Sequence, residues 1–471
     1  MPITNNLQPQ RVLAYFEELC AIPHGSGNTK QISDYCVDFA KRHGLAYQQD
    51  AMNNIIIRKP AAAGYEEHPP VIIQGHLDMV CEKKEDKVFD FTIDPICLQL
   101  EGDWLTADGT TLGGDDGIAV AMALAILEDP ALPHPPLEVV FTVDEEIGLL
   151  GAIELDTATL QGRTLLNIDS EEEGILTVGC AGGARVDISL PLPFAATSMP
   201  CYQINLSGLL GGHSGVEIDK GRQNANILLG QLLHSLPFAW RLVSIDGGQK
   251  DNAIPRQAVC VIAADQDPAP AAAAFLQKNR VDTDPDLAIT VTPIPAAPMA
   301  AEESASRTVA AFLATVKNGV QAMSQALTGL VETSLNCGIT KIQDNAFHAV
   351  FSVRSAITKD KRALLDDLRA AAEHIGAAYE ESGHYPAWEY VADSPLQKTM
   401  TAVFEQQYGY TPRITAIHGG LECGVFSEKL AGLDAVSFGP DIPNIHTTEE
   451  RLSLPSTART YAYLLAVLEA L

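Results

Sequence analysis

Acids and imidazoles sit where apolar runs end. VIIQG runs into His76 and Asp78, LGGDDG carries Asp115, VVFTVD is followed by Glu145 and Glu146, and LLNI by Asp169. A buried strand does not tolerate charge along its length but can deliver it at its end, and open α/β sheets collect their sites there. One further imidazole, His446 in NIHTTEE, comes far downstream, so the chain must return to the same sheet to bring it in.

Imidazole nitrogen and carboxylate oxygen are the donors that zinc and its borderline relatives take, and a hydrolytic centre keeps one position open for water. Two ions about 3.5–4 Å apart lower the pKa of a shared water and hold the oxygen that becomes negative in the transition state. Such a pair needs a bridging acid, for which Asp115 is the candidate, and one imidazole and one more carboxylate per ion. The chain offers His76 with Asp169 for one ion and His446 with Glu146 for the other. His76 and Asp78 are two apart and leave an extended segment on one face, so Asp78 is expected to bond the second imidazole nitrogen and set the tautomer. Glu145 and Glu146 diverge at a strand end, so one can bind metal while the other stays free as a general base.

Each piece also has a plainer reading. H-x-D occurs as an ordinary surface or core pair. GGDDG ahead of IAVAMALAILE caps a buried helix, with Asp115 or Asp116 at its N-terminus. DEE after a strand is a solvated turn, and SEEEG an exposed acidic loop. Their succession at the ends of consecutive apolar runs is what favours a site.

HLDMV, GGDDGIAVAMALAIL, FTVDEEIGLLGA, LLNIDSEEEG, GGHSGVEIDKGRQNANILL and NIHTTEE together resemble the co-catalytic zinc peptidases. That family includes aminoacylases, carboxypeptidase G, succinyl-diaminopimelate desuccinylase and the carnosinase-type dipeptidases. Within it, the LGGDDG and GGHSGVEIDKGRQNAN forms are most similar to the aminoacyl-histidine dipeptidase branch. The resemblance spans nearly the whole chain.

It implies His76, Asp115, Glu146, Asp169 and His446 as ligands of two divalent ions, zinc first, with cobalt or manganese also suited to such donors. It implies Asp78 as the acid that orients the first histidine and Glu145 as the base. His213 in GGHSG matches a lid histidine that reaches the substrate or the developing oxyanion, in some relatives from the partner subunit. Many relatives carry a proline shortly after it, whereas this chain reads HSGVEIDKG, which leaves the path of that segment open. Arg354 in FSVRS matches an arginine that binds substrate carboxylate, and Asn252 in DNAIP a polar contact. His418, Gly419 and Glu422 in IHGGLECG match a glycine loop lining the pocket. The plainer readings are a surface ion pair for Arg354, a turn residue for Asn252 and a structural need for the glycines.

The activity so implied is hydrolysis of dipeptides, Xaa-His such as β-alanyl-histidine among them. An N-acyl amino acid deacylase or a broader aminopeptidase of the same family is the alternative, and a metal-stabilised binding protein is the rival from another class. A serine hydrolase is disfavoured, because Ser214 stands in GHSGV and not in G-x-S-x-G.

A chain of 471 residues suggests two or three units. NNIIIRK, PPVIIQGH, LEVVFTV and TLLNID alternate with helical stretches, which predicts an α/β catalytic domain built on a mixed sheet with helices on both faces. Near residue 185 the character shifts to paired strands and fewer helices. The expected organisation is a metal-binding catalytic domain of 1–185 and 392–471, interrupted by an inserted α+β lid domain of 186–391 through which a homodimer would form. DPAPAAAAF and PIPAAPMAAEESAS read as loops at helix ends.

With 60 acids against 31 basic residues, the net charge of −29 disfavours nucleic acid and anionic membranes as partners. The apolar fraction of 46% and mean hydropathy of +0.05 fit a soluble globular protein. No apolar stretch of about 20 residues predicts a membrane span, and MPITNNLQPQ lacks the pattern of a signal peptide. Nine cysteines, odd in number and without a C-x-x-C pair, point to reduced thiols in the cytoplasm.

Overall fold

Val71–His76 and Leu137–Thr142 are buried at every residue, the signature of strands covered on both faces. They lie at the middle of an eight-stranded mixed sheet made of β1 (Ala46–Gln49), β2 (Ile55–Lys59), β3 (Val71–His76), β4 (Leu137–Thr142), β5 (Thr164–Asn167), β6 (Ile175–Cys180), β7 (Arg413–Ile417) and β8 (Asp434–Ser437). The order across the sheet is β1-β2-β4-β3-β5-β8-β6-β7. β4, β3, β5 and β8 are mutually parallel, so their C-terminal ends open on one edge of the sheet, while β1, β2 and β6 run antiparallel to their neighbours.

This computed structural model describes residues 3–471, which divide into two compact units. The first takes the chain up to Cys180 with Tyr390–Ala416 and Leu421–Leu471, and the second is Ala181–Glu389 with Ile417–Gly420. In the first, helix α1 (Gln10–Cys20) buries Val12, Leu13, Phe16, Leu19 and Cys20, the spacing of one helical face, and helix α2 (Lys30–Arg42) follows. It packs on α3 (Gly114–Glu128), an alanine-rich helix buried on all sides from Ile118 to Leu127 that lies against β3. The C-terminal helix Leu454–Ala470 packs with Pro395–Tyr408, and both join this core.

The second unit is built on a nine-stranded sheet whose described pairings are antiparallel, with the helices Ala225–Ser235, Glu303–Thr315 and Thr358–His374 contributing to its core around Trp240, Phe312, Phe347 and Phe351. One element departs from the sequence expectation. Ala269–Asn279, read as loop from its Ala and Pro, is a helix, with Pro268 as its N-cap and Pro270 in its first turn, where no N–H is needed. Val331–Gln343 is a long strand, joined to Ala346–Ser355 by Asp344 and Asn345, both at positive φ, as a two-residue hairpin turn requires.

No helix among the described residues is long and apolar enough to cross a membrane. Phe16 is fully buried in the core of the first unit. Phe16→Ala is expected to destabilise that unit by about 3–5 kcal/mol, read as a lowered midpoint in chemical unfolding followed by α-helical circular dichroism.

Candidate metal centre

The four parallel strand ends decide which side chains meet. His76 is the last residue of β3; Glu145 and Glu146 follow β4, Asp169 follows β5, and the segment carrying His446 follows β8. Asp115 comes from the first turn of α3. Its two oxygens face different imidazoles: Oδ1 lies 3.1 Å from His76 Nε2 and Oδ2 lies 3.2 Å from His446 Nε2. Each imidazole has a second acid, Asp169 at 3.6 Å from His76 Nε2 and Glu146 at 2.9 Å from His446 Nε2. Asp115 thus stands between the two sets, one oxygen toward each imidazole.

Ligand atoms of Asp115, Glu146 and His446 lie within 4.8 Å of one another, as do those of His76, Glu145 and Glu146 and those of His76, Asp116 and Asp169. Asp116 went unremarked as a metal-site residue in the sequence. It is buried, its Oδ2 accepts from His76 N at 3.1 Å, and burial pushes its pKa well up. The doubled aspartate of GGDDG is the signal that marks it.

The electrostatics fit divalent cations. Among the described residues, no lysine or arginine pairs with Asp78, Asp115, Asp116, Glu145, Glu146, Asp169 or Glu422. Gathering such acids out of water without counter-charge is costly. The two imidazoles carry the imbalance as far as they can. Burial opposes protonation of His446, yet bonds to Asp115 and Glu146 raise its pKa to about 11. His76 is likewise pushed well up by Asp115, Asp169 and Asp78 against the effect of burial. Burial lifts Asp169 to about 6. At Glu145 burial again leads, with Asp169 and Glu146 adding to it, and its pKa rises well above the carboxylate range.

Asp78 acts differently from the sequence expectation. His76 Nδ1 lies 2.9 Å from the main-chain oxygen of Asp78 and 3.6 Å from its carboxylate, because β3 ends at His76 and the chain then turns. The carboxylate spans further, accepting from Ser26 Oγ at 2.7 Å, Glu145 N at 3.0 Å and Glu146 N at 3.4 Å. It thereby ties the two-glutamate loop to the strand that bears His76.

Glu422 is a correction. Expected beside His418 at a substrate pocket, it belongs to the first unit and is fully buried. Its Oε2 accepts from Gln74 Nε2 and, at 2.6 Å, from Thr142 Oγ1, while Gln74 Oε1 accepts from Asn167 Nδ2 at 2.6 Å. Burial raises its pKa to about 8. The group braces β3, β4 and β5.

The remaining expected contacts lie in the second unit. A two-stranded ribbon pairs Gly212–His213 with Ala253–Ile254, and Ser214 N donates to Asn252 O at 2.8 Å, so His213 and Asn252 are neighbours. His213 Nδ1 accepts from Gly215 N at 3.2 Å and Val216 N at 3.3 Å. Burial and the charge of Arg354 lower its pKa. It is therefore neutral at pH 7 with its proton on Nε2, a donor. A Cβ on Gly215 would come 2.5 Å from His418 O, so only glycine lets these two loops approach. His418 Nε2 lies 2.7 Å from Ser334 Oγ, and burial lowers its pKa to about 4, Arg354 and His213 acting in the same sense or nearby. Gly419 follows it in the same unit. Arg354 is 8% exposed and donates to Tyr385 Oη at 2.8 Å, and it forms no ion pair among the described residues.

Residues 72–470 match the profile of peptidase family M20/M25/M40. Over 99% of this chain and 98% of the relative, the sequence is 37% identical to the cytosol non-specific dipeptidase of Escherichia coli K12. The structure is similar to the aminoacylhistidine dipeptidase of Vibrio alginolyticus, with a TM-score of 0.92 and 36% identity, covering 99% of this chain and 98% of that one. The aminopeptidase PepT of Bacillus cereus shares the fold at a TM-score of 0.59 and 16% identity, covering 98% of this chain and 99% of that one.

The raised pKa of His446 sets a pH dependence for the metal-free protein. Its pKa climbs from 6.5 to about 11 on folding, so its favourable contribution is complete below 6.5 and is lost as pH rises through about 11. The thermal stability of metal-free wild type relative to metal-free His446→Ala is expected to be greatest near about pH 6 and to shrink steadily toward about pH 10.

Proposed function

This chain belongs to peptidase family M20/M25/M40, and we propose that it is a dinuclear metallodipeptidase that cleaves dipeptides, Xaa-His such as β-alanyl-histidine among them. The observation that carries the reading is the placement of Asp115, one oxygen toward each imidazole and a further acid beside each. His76, Asp169 and Asp115 would hold one ion and His446, Glu146 and Asp115 the other, zinc being the first choice and cobalt or manganese also suited. Two such ions supply charge and Lewis acidity, lowering the pKa of a water and polarising the scissile carbonyl.

The chain's own residues do the rest. Glu145 takes the proton from the attacking water and hands it to the leaving amine. Its high proton affinity in the metal-free centre supports that role. Asp78 holds Glu145 and Glu146 by their main-chain amides and His76 through its carbonyl. In the second unit, the Nε2–H of neutral His213 is a donor for an oxygen that gains charge. Arg354, buried with no acid partner among the described residues, suits the carboxylate that ends a dipeptide. Asn252, His418 and Gly419 would complete the polar lining, and Glu422 is left out of it.

On this reading the first unit is catalytic and the second recognises substrate and joins a homodimer. An edge strand, Ala288–Ile294, ends the nine-stranded sheet with main-chain groups open to pairing, which supports an assembly of that kind. An odd number of cysteines without a C-x-x-C pair, and the cytosolic naming of the Escherichia coli relative, support a cytoplasmic setting.

The test is hydrolysis by metal-stripped protein with zinc, cobalt or manganese added back, over a panel of dipeptides, tripeptides and N-acyl amino acids, reading released histidine and other products. Metal-dependent cleavage confined to dipeptides is expected; cleavage of acyl amino acids alone would contradict the reading in favour of a deacylase. Glu145→Gln is expected to lower kcat by about 10²–10⁴-fold with both metals retained. Arg354→Ala is expected to raise KM by about tenfold or more with a smaller effect on kcat.

A further inference from the structure

One more buried carboxylate is built into the same centre. Glu450 is 3% exposed and lies in the TTEE stretch just after His446. It spreads its oxygens over consecutive main-chain amides: Oε2 accepts from Leu112 N at 2.7 Å and Gly113 N at 3.1 Å, and Oε1 from Gly114 N at 2.8 Å and Asp115 N at 3.3 Å. These amides lead the chain into α3, where no preceding helical turn exists to accept from them. A carboxylate there makes charge-assisted bonds and meets the positive end of the helix dipole.

The fit leaves little slack. A Cβ on Gly114 would come 3.2 Å from Glu450 Oε1. On its own side of the contact, Glu450 N donates to Thr447 O at 3.2 Å, and the next residues, Arg451–Ser453, pair with Trp104–Thr106. Just ahead of these anchors stands His446, in left-handed backbone at φ 60°, its side chain 44% exposed and bonded at Nε2 to Asp115 and Glu146. A half-exposed imidazole on such a loop has few contacts of its own to fix it. Glu450 ties its loop to the loop of Asp115, although His446 and Asp115 are 331 residues apart in sequence.

We propose that Glu450 is a positioning residue of the metal centre: by clasping residues 112–115 it sets the separation of Asp115 and His446, and so the affinity of the ion those two share. The inference rests on the dinuclear reading above. A glutamine at this position would turn an NH2 toward two of the amides, losing two bonds and opposing donor to donor. An aspartate would keep the charge but fall one methylene short.

The full-length protein, stripped of metal and reloaded, tests this with wild type, Glu450→Gln and Glu450→Asp side by side. The readouts are zinc content after gel filtration, affinity by chelator competition, the visible spectrum of the cobalt-loaded proteins, and kcat and KM for a dipeptide at several zinc concentrations. Wild type is expected to hold two ions. Glu450→Gln is expected to fold, to keep one ion, and to bind the second about 10–100-fold more weakly. Excess zinc should then restore kcat with KM unchanged, and Glu450→Asp should fall between. Wild-type affinity for both ions in Glu450→Gln overturns the proposal, and so does unfolding of both variants, which would make Glu450 a residue of the fold. Fewer than two ions in wild type overturns the dinuclear reading itself, and the wild-type measurement alone reveals it.

Discussion

Asp115 presents one carboxylate oxygen to an imidazole from the first parallel strand of the sheet and the other to an imidazole that arrives more than three hundred residues later, at 3.1 and 3.2 Å. Around that pair stand Asp116, Glu145, Glu146 and Asp169, with no lysine or arginine among the described residues to offset them. Gathering so much negative charge out of water is costly, and the raised proton affinity of His76 and His446 offsets part of it. The parallel order of β4, β3, β5 and β8 is what makes the gathering possible, since each strand releases its acid or imidazole at the same edge.

Main-chain amides hold the gathering in place. Asp78 spends its carboxylate on the amides of Glu145 and Glu146 and on Ser26, and its carbonyl on His76. Glu450 does the same for the Asp115 loop. Beneath them, Gln74, Thr142, Asn167 and Glu422 knit three strands together. The loops that bear Asp115, Glu145 and Glu146 are thus tied by acids outside the candidate ligand set, and on the proposed reading this separates coordination from orientation.

The gathering of side chains around Asp115 was legible because strand ends leave a local signature: apolar runs closed by His76, Glu146 or Asp169 read the same in sequence and in space. Long-range bonds leave none. Glu422 follows a glycine loop and reads as a pocket residue, yet its burial is decided by Gln74 and Thr142, hundreds of residues away. Asp78 was legible as a partner of His76, but the turn after β3 hands that task to its carbonyl. Asp116 sits next to the recognised Asp115 and Glu450 four residues past His446, and both were passed over. In the fold, alanine and proline around residue 270 hid a helix whose proline lies in its first turn, and the Asp344–Asn345 pair was a hairpin signal that went unused.

Diffraction from zinc-loaded crystals, with anomalous differences collected at the zinc edge, tests the dinuclear centre most directly. Two peaks are expected, one against His76 and Asp169 and one against His446 and Glu146, with Asp115 touching both. A single peak, or peaks that leave Asp115 uncoordinated, would contradict it.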